Sequence, residues 1–88
     1  MLVVAGKSFN KDIAKITDRV LARKVETVLR KLESTNNLSQ IRNLRKLEGA
    51  TNAFRIRVGN YRIGFFVVGN TIRLMIFAHR NEIYRYFP

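Results

Sequence analysis

The apolar positions follow two different periods along the chain, and the change falls at Gly49. Before it, Phe9, Ile13 and Ile16 recur at helical spacing and predict a short amphipathic helix. A longer apolar stripe predicts a second helix from about residue 18 to 33, whose charged residues lie mostly off the stripe. We expect the two helices to form a hairpin.

After Gly49 apolar and polar positions alternate, which is the period of a β-strand. Three strands are predicted, separated by the two-residue turns Gly59-Asn60 and Gly69-Asn70: Ala53 to Val58, Tyr61 to Val68 and Thr71 to His79. Leu2 to Val4 favours a first strand, whereas Leu38 to Lys46 is a polar, basic connection of no clear period. The expected fold is α+β, one domain over residues 1–88. Two N-terminal helices should pack on one face of a mainly antiparallel sheet of about four strands, in the order β-α-α-β-β-β with a short C-terminal segment.

The turn lengths also predict which side chains face each other. Arg57 should oppose Arg62, and Arg62 should oppose Phe77. Alternation puts one set of apolar residues beneath the helices: Phe54, Ile56, Val58, Ile63, Phe65, Val67, Ile72, Leu74 and Ile76. The other face is basic with interleaved aromatics: Arg55, Arg57, Arg62, Gly64, Phe66, Arg73, Met75, Phe77 and His79. Like charges that face each other destabilise a sheet by up to about 1 kcal/mol, so the Arg57–Arg62 pair predicts a site where an anion relieves the repulsion.

Composition strengthens the case for a nucleic-acid partner. The chain has 17 Lys and Arg against 6 Asp and Glu, a net charge of +11 that attracts polyanions. Residues 49–88 carry six arginines, no lysine and a single acid. Solubility does not require arginine over lysine, whereas bidentate phosphate recognition does. One histidine and no cysteine make no metal constellation, and no apolar run is long enough for a signal peptide or a membrane span. We therefore expect an RNA-binding protein of the cytoplasm without metal or cofactor.

Two runs of residues carry a resemblance to a known family: Phe54-Arg55-Ile56-Arg57-Val58-Gly59-Asn60-Tyr61-Arg62-Ile63 and Ala78-His79-Arg80-Asn81-Glu82-Ile83-Tyr84. At these positions, and along nearly the whole chain, the sequence resembles the RelE and ParE superfamily of bacterial and archaeal toxins from toxin–antitoxin systems, and more the RelE side of it. RelE-type toxins are mRNA endonucleases that commonly act on the ribosome. The resemblance implies a toxin that inhibits translation by cleaving mRNA. It also implies an acidic antitoxin partner, with operator DNA contacted only through their complex.

The resemblance also implies roles for particular residues. It assigns the family's paired basic strand residues to Arg55 and Arg57, its phosphate-contacting arginine to Arg62, and its C-terminal arginine and tyrosine to Arg80 and Tyr84. Some RelE proteins have lysines at the first two positions, and some relatives use a glutamate base that has no counterpart located here. Arg73, on the same predicted face, and Lys46 are further candidates for binding RNA phosphates.

Metal-independent cleavage by the 2′-hydroxyl needs a base, an acid and stabilisation of the charge on the phosphate. Arginine supplies the stabilisation but does not act as a base, so His79 and Tyr84 are the expected proton carriers. The predicted register puts His79 on the basic face, and an imidazole exchanges protons readily near neutral pH. Tyr84 would need cationic neighbours such as Arg80 or Arg85. The product would be a 2′,3′-cyclic phosphate.

The sequence leaves open other functions for the protein and other roles for two of its residues. ParE-like relatives share the fold but inhibit DNA gyrase by binding, without nuclease chemistry. A homologue that binds RNA and cuts nothing would carry the same basic face. For single residues, a histidine at a strand end also suits a surface position, and Tyr84 also suits the edge of the core.

Overall fold

The computed structural model describes residues 1–88 and confirms the expected α+β fold. Its elements in chain order are β1 (Leu2–Ala5), α1 (Lys7–Ala14), α2 (Arg19–Ser34), a 3₁₀ helix (Leu38–Gln40), β2 (Leu44–Lys46), β3 (Ala53–Val58), β4 (Tyr61–Val68), β5 (Thr71–His79) and α3 (Ile83–Tyr86). The three strands predicted after Gly49 have the bounds that alternation indicated. None of the helices combines the length and the apolar character needed to cross a membrane.

Local capping and one long-range hydrogen bond place the two N-terminal helices. At the start of α2 the Asp18 carboxylate accepts hydrogen bonds from the N–H groups of Val20 and Leu21, at 2.8 and 3.2 Å. On α1, Asp12 Oδ2 accepts the backbone N–H of Phe77 at 3.0 Å. Because β1 pairs with β5 only as far as Leu74, the edge of β5 is open beyond that point, and Asp12 satisfies a donor there.

The sheet has five strands in the order β1-β5-β4-β3-β2, one more than predicted. β1 runs parallel to β5, and every other pair is antiparallel. The additional strand is β2, which pairs with β3 at the edge and lies in the connection that showed no period. Three residues are too few to display alternation, so the sequence pattern could not reveal it. Both predicted turns are present, with Gly59 and Gly69 at φ 60° and 59°, as the first position of a type II′ hairpin turn requires.

A β-bulge changes the faces of β5. The predicted opposition of Arg57 and Arg62 is confirmed, but Arg62 opposes Ala78 and not Phe77. Gly64 pairs with Ile76 and Phe65 with Leu74, so Met75 is an extra residue on β5. Every residue of β5 after the bulge is therefore reversed relative to the prediction. Phe77 and His79 lie on the face that the helices cover, and Ile76 lies on the opposite face.

The main core lies between the sheet and the N-terminal helices. It consists of ten buried residues from α1, α2 and β3 to β5: Phe9, Val25, Leu32, Ile56, Val58, Ile63, Phe65, Ile72, Leu74 and Phe77. This confirms the expected packing of both helices on one face. The burial of Phe77 fits the reversed register after the bulge, because its side chain now points into this core.

The opposite face of the sheet has a second, smaller core beneath α3. Ile83 and Phe87 are buried there with Leu47 and Ala53. Phe87 packs so closely on Gly64 that a Cβ at that glycine would lie 2.5 Å from the Phe87 ring. Part of the face that was predicted to be a binding surface is thus covered by the C-terminal helix, and only its other end stays open.

Candidate functional site

The open end of this face holds a cleft in which four of the seven lining residues are arginines, and we call it the arginine cleft. It has a volume of about 410 Å³ and is lined by Asn43, Leu44, Arg45, Arg55, Arg57, Arg62 and Tyr84. Arg45, Arg55 and Arg57 come from β2 and β3, Arg62 from the start of β4, and Tyr84 from α3. Three of the predicted strand residues and the predicted C-terminal tyrosine are therefore brought together.

Arg62 is held by the β3–β4 turn beside it. Its Nη1 donates to the carbonyl oxygens of Tyr61, at 2.8 Å, and Gly59, at 3.2 Å. These bonds fix the guanidinium at the turn while its Nε and Nη2 donate to no group of the chain. The two free nitrogens of the planar guanidinium can therefore donate hydrogen bonds to an anion.

Arg57 is held by Asn43, which precedes β2. Its Nη2 donates to Asn43 Oδ1 at 2.9 Å, and its backbone N–H donates to the Asn43 carbonyl at 3.0 Å. Asn43 adopts the left-handed conformation, at φ 65°, which asparagine tolerates better than most residues do. That conformation lets one residue hold both the backbone and the side chain of Arg57.

Arg55 and Tyr84 hold each other across the cleft. The Arg55 Cζ lies 4.5 Å from the centre of the Tyr84 ring, a cation–π contact. Tyr84 is otherwise 70% exposed, so this contact and the packing of its neighbours on α3 are what orient it. Among the residues that line the cleft, Tyr84 is the one titratable group that is not an arginine.

The cleft carries positive charge that no acidic side chain offsets. The one ion pair between side chains of the chain joins Arg30 to Glu26 on α2, away from the cleft. Partial burial lowers the pKa of Arg62, and the nearby charges of Arg57 and Arg80 lower it further. Tyr84 raises that pKa and Arg55 lowers it, both by less. The positive charge of Arg62 is therefore held at a cost in free energy, which a bound anion would offset.

Arg80 follows β5 and approaches the cleft from the side of the β3–β4 turn. Its backbone N–H donates to the Asn60 carbonyl at 2.9 Å, which ties the end of β5 to that turn. Its side chain lines a neighbouring groove together with Arg57 and Arg62. The structure therefore brings this predicted residue to the edge of the arginine cleft.

His79 is not in the cleft, and the prediction that it lies on the basic face is wrong. The bulge at Met75 turns it to the helix side, where it opposes Tyr61 and packs edge-on against that ring at 5.4 Å. Its Nδ1 accepts the backbone N–H of Asn81 at 3.2 Å. It lines a separate cavity of about 720 Å³ that also contains Asp12, Asp18 and Glu82. The structure therefore does not bring His79 together with Arg55, Arg57 and Arg62.

Arg73 and Lys46 are also outside the cleft. Arg73 is exposed on the correct face of the sheet, but it pairs with Val4 and Phe66. It precedes Ala78, the residue opposite Arg62, by five positions on β5, a separation of roughly 15 Å. Lys46 pairs with Phe54, whose side of the sheet faces the helices, and it lines a cavity next to the cleft. The neighbouring Arg45 is the β2 residue that reaches the cleft.

Two polar lining residues, Asn43 and Arg45, were not among the residues that the sequence analysis assigned to the site. Arg45 belongs to a strand that is too short to show alternation, so its face was not predictable. Asn43 gives one usable signal, since asparagine in a polar connection is enriched in the left-handed conformation. Nothing in the sequence, however, indicates that its side chain would reach Arg57, fourteen residues later.

The arrangement is suited to binding a phosphodiester. Guanidinium groups from three strands converge from different directions, and arginine forks match phosphate oxygens. Such preorganised cations stabilise charge that develops on a phosphate during reaction. No three His, Cys, Asp or Glu side chains of the chain come together as metal ligands. Tyr84 contributes to the cleft a hydroxyl that can exchange a proton and a ring that can stack on a base.

Comparison with known proteins places this chain in a family. No protein-family model matches the chain. Toxin RelE3 of Methanocaldococcus jannaschii is 37% identical over 89 residues, covering 100% of both chains. The toxin chain in a RelB-RelE antitoxin-toxin complex from Methanococcus jannaschii has 34% identity and a TM-score of 0.79 over 100% of both chains. A chain of the archaeal RelE-RelB complex of Pyrococcus horikoshii has 22% identity and a TM-score of 0.74, over 90% of this chain and 93% of the other. Full-length identity above 30% to a named toxin, together with the resemblance at the arginines, establishes that this chain belongs to the RelE family of toxins.

Proposed function

We propose that this toxin is an endoribonuclease that cleaves mRNA in the arginine cleft and thereby inhibits translation. The observation that carries the proposal is the convergence of Arg55, Arg57 and Arg62 with no carboxylate partner, beside a tyrosine. A cluster of unpaired guanidiniums costs stability in the free protein, so it calls for an anionic ligand. Membership in the RelE family supports RNA as that ligand.

In the proposed reaction the 2′-hydroxyl of a nucleotide attacks the adjacent phosphorus. The P–O bond to the next nucleotide breaks, leaving a 2′,3′-cyclic phosphate on one product and a 5′-hydroxyl on the other. Arg57, Arg62 and Arg80 neutralise the phosphate oxygens as negative charge builds up, and Arg55 positions Tyr84. The proton of the 2′-hydroxyl is removed and another is given to the 5′-oxygen. Tyr84 is the proposed carrier of one of these protons, since His79 lies on the other side of the sheet.

Replacing Arg62 tests the proposal. Arg62→Ala removes a half-buried cation but no part of either core, so the variant should fold. We expect cleavage of mRNA in a translation extract to fall by about 10²-fold or more, and growth inhibition to disappear. Arg19→Ala is the matched control, because Arg19 is exposed at the start of α2 and lines none of the cavities described. Undiminished cleavage by the Arg62 variant would refute the assignment.

A second substitution separates two roles of Tyr84. Tyr84→Phe keeps the ring over Arg55 and removes only the hydroxyl. If the hydroxyl transfers a proton, single-turnover cleavage should fall by about 10² to 10⁴-fold while RNA affinity is unchanged. If the ring acts only by stacking, the Phe variant should cleave like the wild type and Tyr84→Ala should lose affinity. The first result would support proton transfer, and the second would leave the proton carrier to be found elsewhere.

We further propose an acidic antitoxin as the partner that neutralises the toxin. The structural relatives from Methanococcus jannaschii and Pyrococcus horikoshii were both solved as complexes of RelE with RelB. On this chain a partner with carboxylates would offset the net charge of +11 and cover the arginine cleft. Action in the cytoplasm on ribosome-bound mRNA, and contact with operator DNA only through the antitoxin, belong to the same proposal. A small acidic reading frame adjacent to the gene, whose product co-purifies with this chain, is the expected finding.

Induced expression of this protein in growing cells distinguishes mRNA cleavage from inhibition of gyrase. We expect translation to stop and truncated mRNA to accumulate. A DNA-damage response with intact mRNA would assign the cleft to a gyrase inhibitor and contradict the proposed function.

A further inference from the structure

A second cationic cavity lies between α2 and the β3–β4 turn, next to the arginine cleft, and we call it the α2 groove. It has a volume of about 730 Å³. One wall is α2, with Arg23 and Lys24, and the other is the turn at Gly59 and Asn60. None of the sequence patterns singled out Arg23 or Lys24, which looked like ordinary charges on a solvated helix face.

The α2 groove adjoins the arginine cleft. Asn43, Arg57 and Arg62 line both cavities. The guanidinium of Arg62 is tied to the carbonyls of Gly59 and Tyr61, which sets it at the turn between them. An anionic chain that reaches Arg62 from the cleft therefore meets the α2 groove next.

The groove is lined by cations and by no acid. Arg23 and Lys24 of α2 join Arg57, Arg62 and Arg80 around it, and no Asp or Glu is among its lining residues. Elsewhere on α2, in contrast, Arg30 pairs with Glu26. Lys24 reaches the turn itself, since a Cβ at Gly59 would lie 4.0 Å from its Nζ. Charges that served only solubility would not need to converge in this way.

The lining also indicates what kind of polyanion the groove takes. Only Val20 and Val28 are hydrophobic among its eleven lining residues. A protein segment binds through buried apolar or aromatic side chains that fill pockets, and the groove offers almost no surface for them. A phosphate backbone needs only correctly placed cations. RNA is therefore favoured over an acidic peptide.

We propose that the α2 groove is a second phosphate subsite, in which Arg23 and Lys24 bind the backbone of the RNA strand beyond the nucleotides that react in the arginine cleft. This inference rests on the proposed function for the identity of the polyanion. It extends the contact of the enzyme from a dinucleotide to a longer single strand. The subsite adds affinity without base recognition, because phosphate contacts carry no direct sequence information.

The test compares RNA lengths and two charge-matched double variants. Binding of 2′-O-methyl RNA, which lacks the reacting hydroxyl, is measured by fluorescence anisotropy for a trinucleotide and for a decanucleotide. Arg23→Ala/Lys24→Ala should weaken decanucleotide binding on the order of tenfold and leave trinucleotide binding unchanged. The slope of log affinity against log salt concentration should fall in magnitude by about 1.4, since each single-strand phosphate contact contributes about 0.7.

The control is Lys7→Ala/Lys11→Ala, which removes the same charge from exposed positions on α1 that line none of the described cavities. Equal decanucleotide affinities for the two double variants would overturn the inference. The inference would also be overturned if Arg23→Ala/Lys24→Ala weakened the binding of polyglutamate but not the binding of RNA. Cleavage of natural mRNA is measured separately. If the wild type binds RNA with the expected length dependence but does not cleave it, the proposed function fails and the subsite stands.

Discussion

Arg57 and Arg62 face each other on neighbouring strands, with like charges and no carboxylate between them. Two sets of local hydrogen bonds hold their guanidinium groups in place. Turn carbonyls accept from Arg62, and Asn43 accepts from Arg57. Such an arrangement is preorganised for a phosphate, because the guanidiniums need not be gathered from solvent when the ligand arrives. The residues that hold the arginines therefore matter as much as the arginines themselves.

The side chain of Asn43 can be removed without disturbing its backbone. Glycine adopts φ 65° without strain, so Asn43→Gly removes the acceptor for Arg57 and little else. We expect RNA affinity to fall several-fold, since the Arg57 guanidinium loses one hydrogen bond that orients it. Affinity is measured by anisotropy, with the melting temperature recorded in parallel.

A double-mutant cycle supplies the control for Asn43. In an Arg57→Ala background the Asn43→Gly change should have no further effect on affinity, because the group that it positions is gone. An equal loss of affinity in both backgrounds would mean that Asn43 acts on the RNA directly or through the fold.

At the scale of elements, docking of α3 decides which part of the sheet is free to bind. Phe87 and Ile83 cover one end of the face opposite the N-terminal helices, and this places Tyr84 over Arg55. The bulge belongs to the same packing, because Met75 and Ile76 both contact this second core. Gly64 is the residue that lets Phe87 approach the strands.

Substituting Gly64 should therefore loosen α3. A Cβ there would lie 2.5 Å from the Phe87 ring and 2.9 Å from Ile76 Cγ2. We expect Gly64→Ala to lower the free energy of unfolding by about 1–3 kcal/mol, as is usual for overpacking, and to reduce cleavage by displacing Tyr84. Urea denaturation measures the first effect. In combination with Phe87→Ala the two losses should be less than additive; strict additivity would contradict the proposed clash.

Besides the packing of Phe9 in the main core, the Asp12 carboxylate joins α1 to β5 through one hydrogen bond. Asp12→Ala leaves the Phe77 N–H without its acceptor in a partly buried position, so the free energy of unfolding should fall by about 1–3 kcal/mol. Asp12→Asn keeps an oxygen acceptor and should lose less than half of that amount. Equal urea midpoints for wild type and Asp12→Ala would show that this bond does not contribute.

At the scale of the whole molecule, seven of the 17 Lys and Arg residues line the arginine cleft or the α2 groove, where no acid is among the lining residues. Positive charges that repel each other destabilise the free protein, and an anion that binds only the folded state stabilises it. We therefore expect the folded protein to be more stable with a bound anion than alone.

Inorganic sulfate provides a simple probe of this coupling. At ten times its dissociation constant a single bound anion stabilises the folded state by about 1.4 kcal/mol, which raises the melting temperature by several degrees. We expect wild type to gain more from sulfate than from sodium chloride of equal ionic strength. Arg57→Ala/Arg62→Ala should lose most of that excess, whereas general exclusion of sulfate acts on both proteins alike. Equal gains in the two proteins would show that the cleft does not bind the anion.

The features that depend on neighbours along the chain were predictable from the sequence. Helical and strand periods predicted the α+β class, and the two glycine turns predicted that Arg57 opposes Arg62. The resemblance to the RelE family came from short runs of residues and was confirmed by full-length relatives.

Tertiary structure decided what depends on contacts between distant residues. The β-bulge at Met75 accompanies the packing of α3 on Gly64. It turns the His79 side chain to the face of the sheet opposite the arginines. The three-residue β2 exists because β3 offers it an edge, and only then do Arg45 and Asn43 reach the cleft. Predicting the faces of a strand from alternation assumes that each of its residues opposes one residue of the neighbouring strand. A bulge breaks that assumption for reasons of packing that no local pattern records.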